Sequence, residues 1–229
     1  MIKAIEFTSD WRCFAAGDLF HFYPGVNLLV GDQGCGKSSL LGEIRNCGSK
    51  LKRSDRAYRK ERHAQLILDE GVTKSFAFDF EHDNFRTKGY FDNAMGFHVG
   101  SMFASHGESN VLLLETLDQV EDAVIFLDEP DMALSIRSAH AVAQLFERVG
   151  ERNCQVIAAV HSLVVIQHFE QVLSLEHRKW MPTEDFIATQ YKPKVDFPIN
   201  HDHERQAKEK KAKEKTMSAQ EAGDFLADL

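Results

Sequence analysis

Eight consecutive residues carry the densest chemical signal in the sequence: Gly31, Asp32, Gln33, Gly34, Cys35, Gly36, Lys37 and Ser38. They fit the spacing GxxxxGK(S/T) in full. Glycines at these positions let a backbone wrap closely round an anion. The amide N–H groups of such a loop, together with the start of the helix that follows, favour phosphate oxygens. Lys37 is then placed to reach the β- and γ-phosphates of a nucleoside triphosphate, and the Ser38 hydroxyl to ligate Mg²⁺. The chemistry this predicts is binding of ATP with Mg²⁺. Ser39, the next residue, joins the nucleotide-binding set.

A second cluster follows an apolar run. Ala123, Val124, Ile125, Phe126 and Leu127 lead directly into Asp128, Glu129 and Pro130. A carboxylate at the C-terminal end of a parallel strand, beside a phosphate loop, is where a Mg²⁺ shell needs one. Asp128 is the metal candidate, acting through water. Glu129 is the candidate for orienting or deprotonating an attacking water. The bland alternative is a surface acidic turn after a core strand.

These residues need elements to hold them. Residues 26–30 read as a buried strand ahead of the glycine loop, and 37–45 as the helix after it. Two short strands are expected at 2–8 and 18–23, and others at 64–68, 75–80, 123–127, 156–160 and 172–175. The alternation of Phe76, Phe78 and Phe80 implies one packed face. Helices are expected at 108–120 and, strongly amphipathic, at 131–149. Apolar strands alternating with helices predict an α/β fold with a largely parallel core sheet. The domain is expected to span 1–200, with a charged tail at 201–229, helical or disordered.

Composition bounds the rest. Hydrophobic residues are 43% and charged residues 27% of the 229, which is ordinary for a globular chain. No apolar run reaches the roughly 18 residues of a membrane span, so no membrane insertion is expected. The four cysteines, Cys13, Cys35, Cys47 and Cys154, form no CxxC pair and fit free thiols in a reducing cytoplasm. The net charge is −8, which argues against non-specific coating of nucleic acid. Local basic stretches exist, however. One holds Lys50, Lys52, Arg53, Arg56, Arg59, Lys60 and Arg62; the other holds Arg205, Lys208, Lys210, Lys211, Lys213 and Lys215.

Taken together, the motifs resemble those of the ABC-type ATPase superfamily. Residues 127–130 (LDEP) resemble its Walker B ending, and 131–135 (DMALS) its D-loop. His161-Ser162, after the strand at 156–160, resembles its switch histidine. Ser105, His106, Gly107 and Glu108 resemble its signature, with a histidine in place of the first glycine. The opening, with Arg12 between two strands, is more similar to SMC- and RecF-type heads of the DNA-repair branch. The resemblance implies a P-loop NTPase of ABC-ATPase type with a small antiparallel N-terminal β part. It implies that Arg12 contacts nucleotide, or else is a solvated turn arginine. It implies that His161 senses the γ-phosphate, and that Ser105, Gly107 and Glu108 contact the ATP held by a second copy in an ATP-dependent homodimer. No glutamine occupies the usual Q-loop region; a residue of 81–84 stands in for it. The interval between Lys37 and Ser105 is too short for coiled-coil arms.

Three roles for the switch are open. The first is a nucleic-acid-associated ATPase with a nuclease or other effector partner, motivated by the N-terminus and the stretch at 50–62. The second is the nucleotide-binding subunit of a transporter. The third is an ATP-dependent regulatory protein that recruits a partner through its tail.

Overall fold

The computed structural model describes residues 1–48, 61–69, 74–79, 114 and 116–190. The chain divides into two compact units, Met1–Thr189 and Gln190–Leu229, and the first is described below. The expectations for the tail, for residues 81–84, for the signature-like residues Ser105, Gly107 and Glu108, and for all but the end of the basic stretch lie outside the described residues.

In chain order the elements are β1 (Ile2–Phe7), β2 (Leu19–His21), β3 (Gly25–Val30), α1 (Lys37–Cys47), β4 (Ala64–Leu68), β5 (Lys74–Asp79), β6 (Ala123–Asp128), α2 (Ile136–Glu151), β7 (Gln155–Ala159), α3 (Leu163–Ile166), β8 (Gln171–Ser174), β9 (Lys179–Pro182) and α4 (Thr183–Gln190). Six strands form one sheet in the order β5-β6-β7-β3-β8-β9, and β2-β1-β4 form a smaller one. The large sheet is parallel except where β9 returns beside β8. The small sheet is antiparallel. The α/β architecture is thus the one expected.

The apolar runs of β3, β6 and β7 follow from burial on both faces. Ile125 and Leu127 point into one cluster, with Ala139, Val142, Phe146 and Val149 of α2. Val124 and Phe126 point into the other, with Leu40, Leu41 and Ile44 of α1 and with Ile2, Ile5 and Phe7 of the small sheet. Period-two alternation therefore assigns each strand residue to one of two covering layers.

Several boundaries differ from expectation. The helix expected from 131 begins at Ile136. Residues 131–134 are spent on a turn, in which Met132 N–H donates to Glu129 O at 3.1 Å and Ala133 sits at φ 59°. Ser135 then caps α2 by accepting from Ser138 N–H. Of the helix expected at 108–120, the described residues Leu114 and Thr116 are helical and Leu117–Gln119 form a 3₁₀ turn. Phe78 is buried, but Phe76, earlier on the edge strand β5, is 38% exposed. Phe80 lies outside the described residues. The short α3, β9 and α4 were not anticipated.

A polar joint ties the two sheets together. Gln155 is fully buried at the start of β7. Its Oε1 accepts from Ile2 N–H at 2.8 Å, and its Nε2 donates to Ile2 O at 2.8 Å and Tyr23 O at 2.9 Å. Gln155→Leu strands both backbone groups of Ile2 in a dry core. The expected cost is about 2–4 kcal/mol, read as a fall in Tm of roughly 5–15 °C. An unchanged Tm would show that water reaches this joint.

Candidate nucleotide site

The parallel register places the site. Leu29 pairs with Ala159, and Ala159 with Asp128. The ends of β3, β6 and β7 are therefore level, and their three following loops share one edge of the sheet.

The glycine loop joins β3 to α1. Gly31 and Gly36 lie at φ 141° and 106°, a region closed to most side chains. Space forbids a side chain as well. A Cβ on Gly31 would stand 2.8 Å from Cys35 Sγ, and one on Gly36 would collide with Cys13 Sγ and stand 3.0 Å from Phe14 Cζ. Gly36 also caps α1, with no side-chain group occupying the helix start. Lys37 is 5% exposed. Its Nζ donates to Gly31 O at 2.8 Å and Asp32 O at 3.2 Å, and lies 3.9 Å from Cys35 Sγ. The loop thus curls round its own lysine. Burial pushes the Cys35 thiol up from its ordinary pKa, and Lys37 opposes this. Gln33 and Ser38 are exposed, as an incoming ligand requires.

Ser38 Oγ donates to Asp128 Oδ1 at 3.0 Å. The hydroxyl and the carboxylate picked out as metal candidates are therefore together. Two oxygen donors, with other positions left for water and phosphate oxygens, suit Mg²⁺, which rarely takes an all-protein cage. Among the described residues no group of three or more His, Cys, Asp or Glu side chains forms a self-sufficient metal cluster.

Glu129 adopts φ 55°, held by its N–H donating to Ala159 O at 3.0 Å. This turn aims its carboxylate at His161, with Oε1 3.3 Å from Nε2. The backbone of His161 is itself clamped. Asp131 Oδ2 accepts from His161 N–H at 2.7 Å and also from Ser162 N–H. Asp131 is 8% exposed, and its other oxygen is buried without a partner among the described residues. Asp131 was read only as the start of a D-loop; the clamp was missed.

Arg12 lies on the loop between β1 and β2. Its Nη1 donates to Ser39 Oγ at 2.6 Å, and its guanidinium sits 4.9 Å above the Trp11 ring. It stands at the mouth of the glycine loop. Glu176 and Arg178, in the turn between β8 and β9, were also missed. Glu176 Oε1 accepts from Asp32 N–H at 2.9 Å. Arg178 Nη2 donates to Cys13 O at 2.7 Å, and Nη1 pairs with Asp18. The only sequence signal was the charged triplet 176–178 before the apolar pair Trp180 and Met181. Without β9 in view, that triplet did not read as a hairpin turn.

The fold is similar to that of solved ATP-binding cassettes. A nucleotide-free ATP-binding cassette from an ABC transporter matches with a TM-score of 0.52 and 12% identity, over 85% of this chain and 97% of that one. A part of an ABC transporter complex of Clostridium perfringens matches at 0.48 and 14%, over 82% and 92%. The ADP conformation of another transporter's cassette matches at 0.47 and 11%, over 85% and 97%. No protein-family model and no curated protein matches the sequence. At 12% identity the match at TM-score 0.52 establishes the fold alone, that of an ABC-type cassette. These neighbours lend no support to an SMC- or RecF-type branch. Among the described residues no helix is long and apolar enough to cross a membrane.

Proposed function

We propose that the chain binds and hydrolyses ATP as an ABC-type ATPase. The observation that carries this reading is the 3.0 Å contact between Ser38 and Asp128, residues 90 apart in sequence. It joins the phosphate loop to the acid pair. In this reading the glycine-loop amides and Lys37 hold the phosphates. Ser38 and Asp128 would hold Mg²⁺, which when bound would supply charge neutralisation for the phosphates. Glu129 orients the attacking water and takes its proton. His161, within reach of Glu129, contacts the γ-phosphate. A second copy supplies Ser105, Gly107 and Glu108, so that ATP controls dimerisation.

The transporter reading of the switch now has more support than the nucleic-acid one. The neighbour at TM-score 0.52 carries a transporter's name, whereas the nucleic-acid reading rests on the resemblance of the N-terminus and on the basic stretch at 50–62. We place the chain, on this reading, as a cytoplasmic nucleotide-binding subunit beside a membrane partner. One assay tests both levels. Phosphate release is expected to require Mg²⁺, and Asp128→Asn to raise the Mg²⁺ needed for half-maximal rate by roughly 10–100-fold. Added single- or double-stranded DNA is expected to leave the rate unchanged. Absence of phosphate release would sink the ATPase reading, hydrolysis indifferent to Mg²⁺ would remove Ser38 and Asp128 from the metal role, and a several-fold stimulation by DNA would restore the nucleic-acid role.

A further inference from the structure

The turn between β8 and β9 touches both the glycine loop and the loop between β1 and β2. Glu176 takes a backbone N–H of the phosphate loop itself, at Asp32. Two residues on, Arg178 reaches the loop between β1 and β2, gripping Cys13 O and the Asp18 carboxylate. Asp18 in turn accepts from Ala15 N–H at 2.8 Å, closing that loop. Arg178 itself sits at φ 53°. An arginine in a left-handed turn conformation costs backbone energy, which a side chain with a defined job offsets. The guanidinium suits that job because one planar fork serves a carbonyl and a carboxylate together.

The sheet order says which half of a nucleotide this loop borders. β6 and β7, which end at Asp128, Glu129 and His161, lie on one side of β3; β8 lies on the other. On the reading proposed above, the γ-phosphate faces Glu129 and His161. The phosphate chain then leaves the glycine loop in the opposite direction. There it meets Arg12, over the Trp11 ring and bonded to Ser39. Trp11 is itself stacked on His63, with centroids 5.6 Å apart. The loop between β1 and β2 is therefore the wall available to the nucleoside, and Arg178 is what fastens that wall to the turn that also holds the phosphate loop.

We propose that Arg178 is a positioning residue for the nucleoside half of ATP. Acting through Cys13 and Asp18, it holds Arg12 and Trp11 in register with the phosphate loop. It contributes to recognition of the base and sugar and not to recognition of the phosphates. This rests on the ATP-binding reading of the site.

The test is a split between two ligands. Dissociation constants for Mg²⁺·ATP and for magnesium tripolyphosphate, which has no nucleoside, are measured on the full chain by calorimetry. Arg178→Ala is expected to weaken ATP about tenfold, on the scale of a lost charge-assisted contact. Tripolyphosphate is expected to stay within about twofold. Arg178→Lys, with one point donor in place of a fork, is expected to fall between wild type and Arg178→Ala. Lys3→Ala, which removes an ion pair to Asp69 elsewhere on the small sheet, is expected to change neither ligand. Equal weakening of both ligands, or none, in Arg178→Ala would overturn the proposal while leaving the ATP reading intact. A wild-type chain that binds neither ligand would overturn the two together.

Discussion

Glu129→Gln is expected to lower the rate of ATP hydrolysis by about 10²–10⁴, the usual contribution of a positioned general base. ATP affinity should change by less than about threefold. The separation follows from geometry. The Ser38–Asp128 pair and the lysine cradle do not involve the Glu129 side chain, so ground-state binding has no reason to fail. The substitution also spares the local structure. Glu129 holds its left-handed backbone through main-chain bonds to Ala159 and Met132, which glutamine keeps. Its amide oxygen remains available to His161 Nε2, 3.3 Å from Oε1 in the wild type. What disappears is the ability to take a proton from water. Phosphate release and equilibrium nucleotide binding, measured on the same preparation, read the two quantities separately. Because ATP stays bound and uncleaved, the variant should accumulate as a dimer on size exclusion with Mg²⁺·ATP. A rate within threefold of wild type would remove Glu129 from the chemistry. A variant that stays monomeric while binding ATP would contradict the two-copy site.

The part of the site visible in the sequence is the part whose physics is local. A short apolar run, a glycine loop and a helix are contiguous, and so are the apolar run and acid pair of β6. In both, the chemistry is written beside the element that positions it. The central strands β3, β6 and β7 were legible for the same reason, since strands buried on both faces must be apolar throughout, whereas the half-exposed edge strand β9 carries no such run. The residues that escaped notice act at a distance on backbone atoms. Asp131 serves two N–H groups after β7, Glu176 one N–H after β3, and Arg178 a carbonyl before β2. A main-chain N–H or C=O is present at almost every position, so nothing in the receiving sequence marks it as a partner. The early start assigned to α2 has a related cause. Apolar spacing continued through Met132 and Leu134, while the chain spent those residues on the turn that carries Glu129 and Asp131.

The lysine of the glycine loop makes the sharpest separation between function and stability. Lys37→Met keeps the long apolar stem and removes the charge. Nζ is buried against two carbonyl oxygens and the Cys35 sulfur. Burial raises the pKa of that thiol, so it faces Lys37 as a neutral group. An ammonium ion whose hydrogen-bond acceptors among the described residues are all neutral has surrendered its hydration for partial compensation. Its removal is therefore expected to leave the Tm of the ligand-free protein unchanged or raised. ATP binding is where the charge gains a directly bonded anion, which the triphosphate brings. The affinity of Lys37→Met for Mg²⁺·ATP is expected to fall at least 100-fold. At a concentration 100 times the wild-type Kd, ATP stabilises the wild type by about 2.7 kcal/mol. The same concentration should give the variant about 0.4 kcal/mol or less, so its thermal shift nearly vanishes. Thermal melts of both proteins with and without Mg²⁺·ATP read all four values. A large loss of Tm without ligand would mean that Lys37 is a structural strut of the loop. An unchanged ATP shift would mean that the loop holds phosphate through its amides alone.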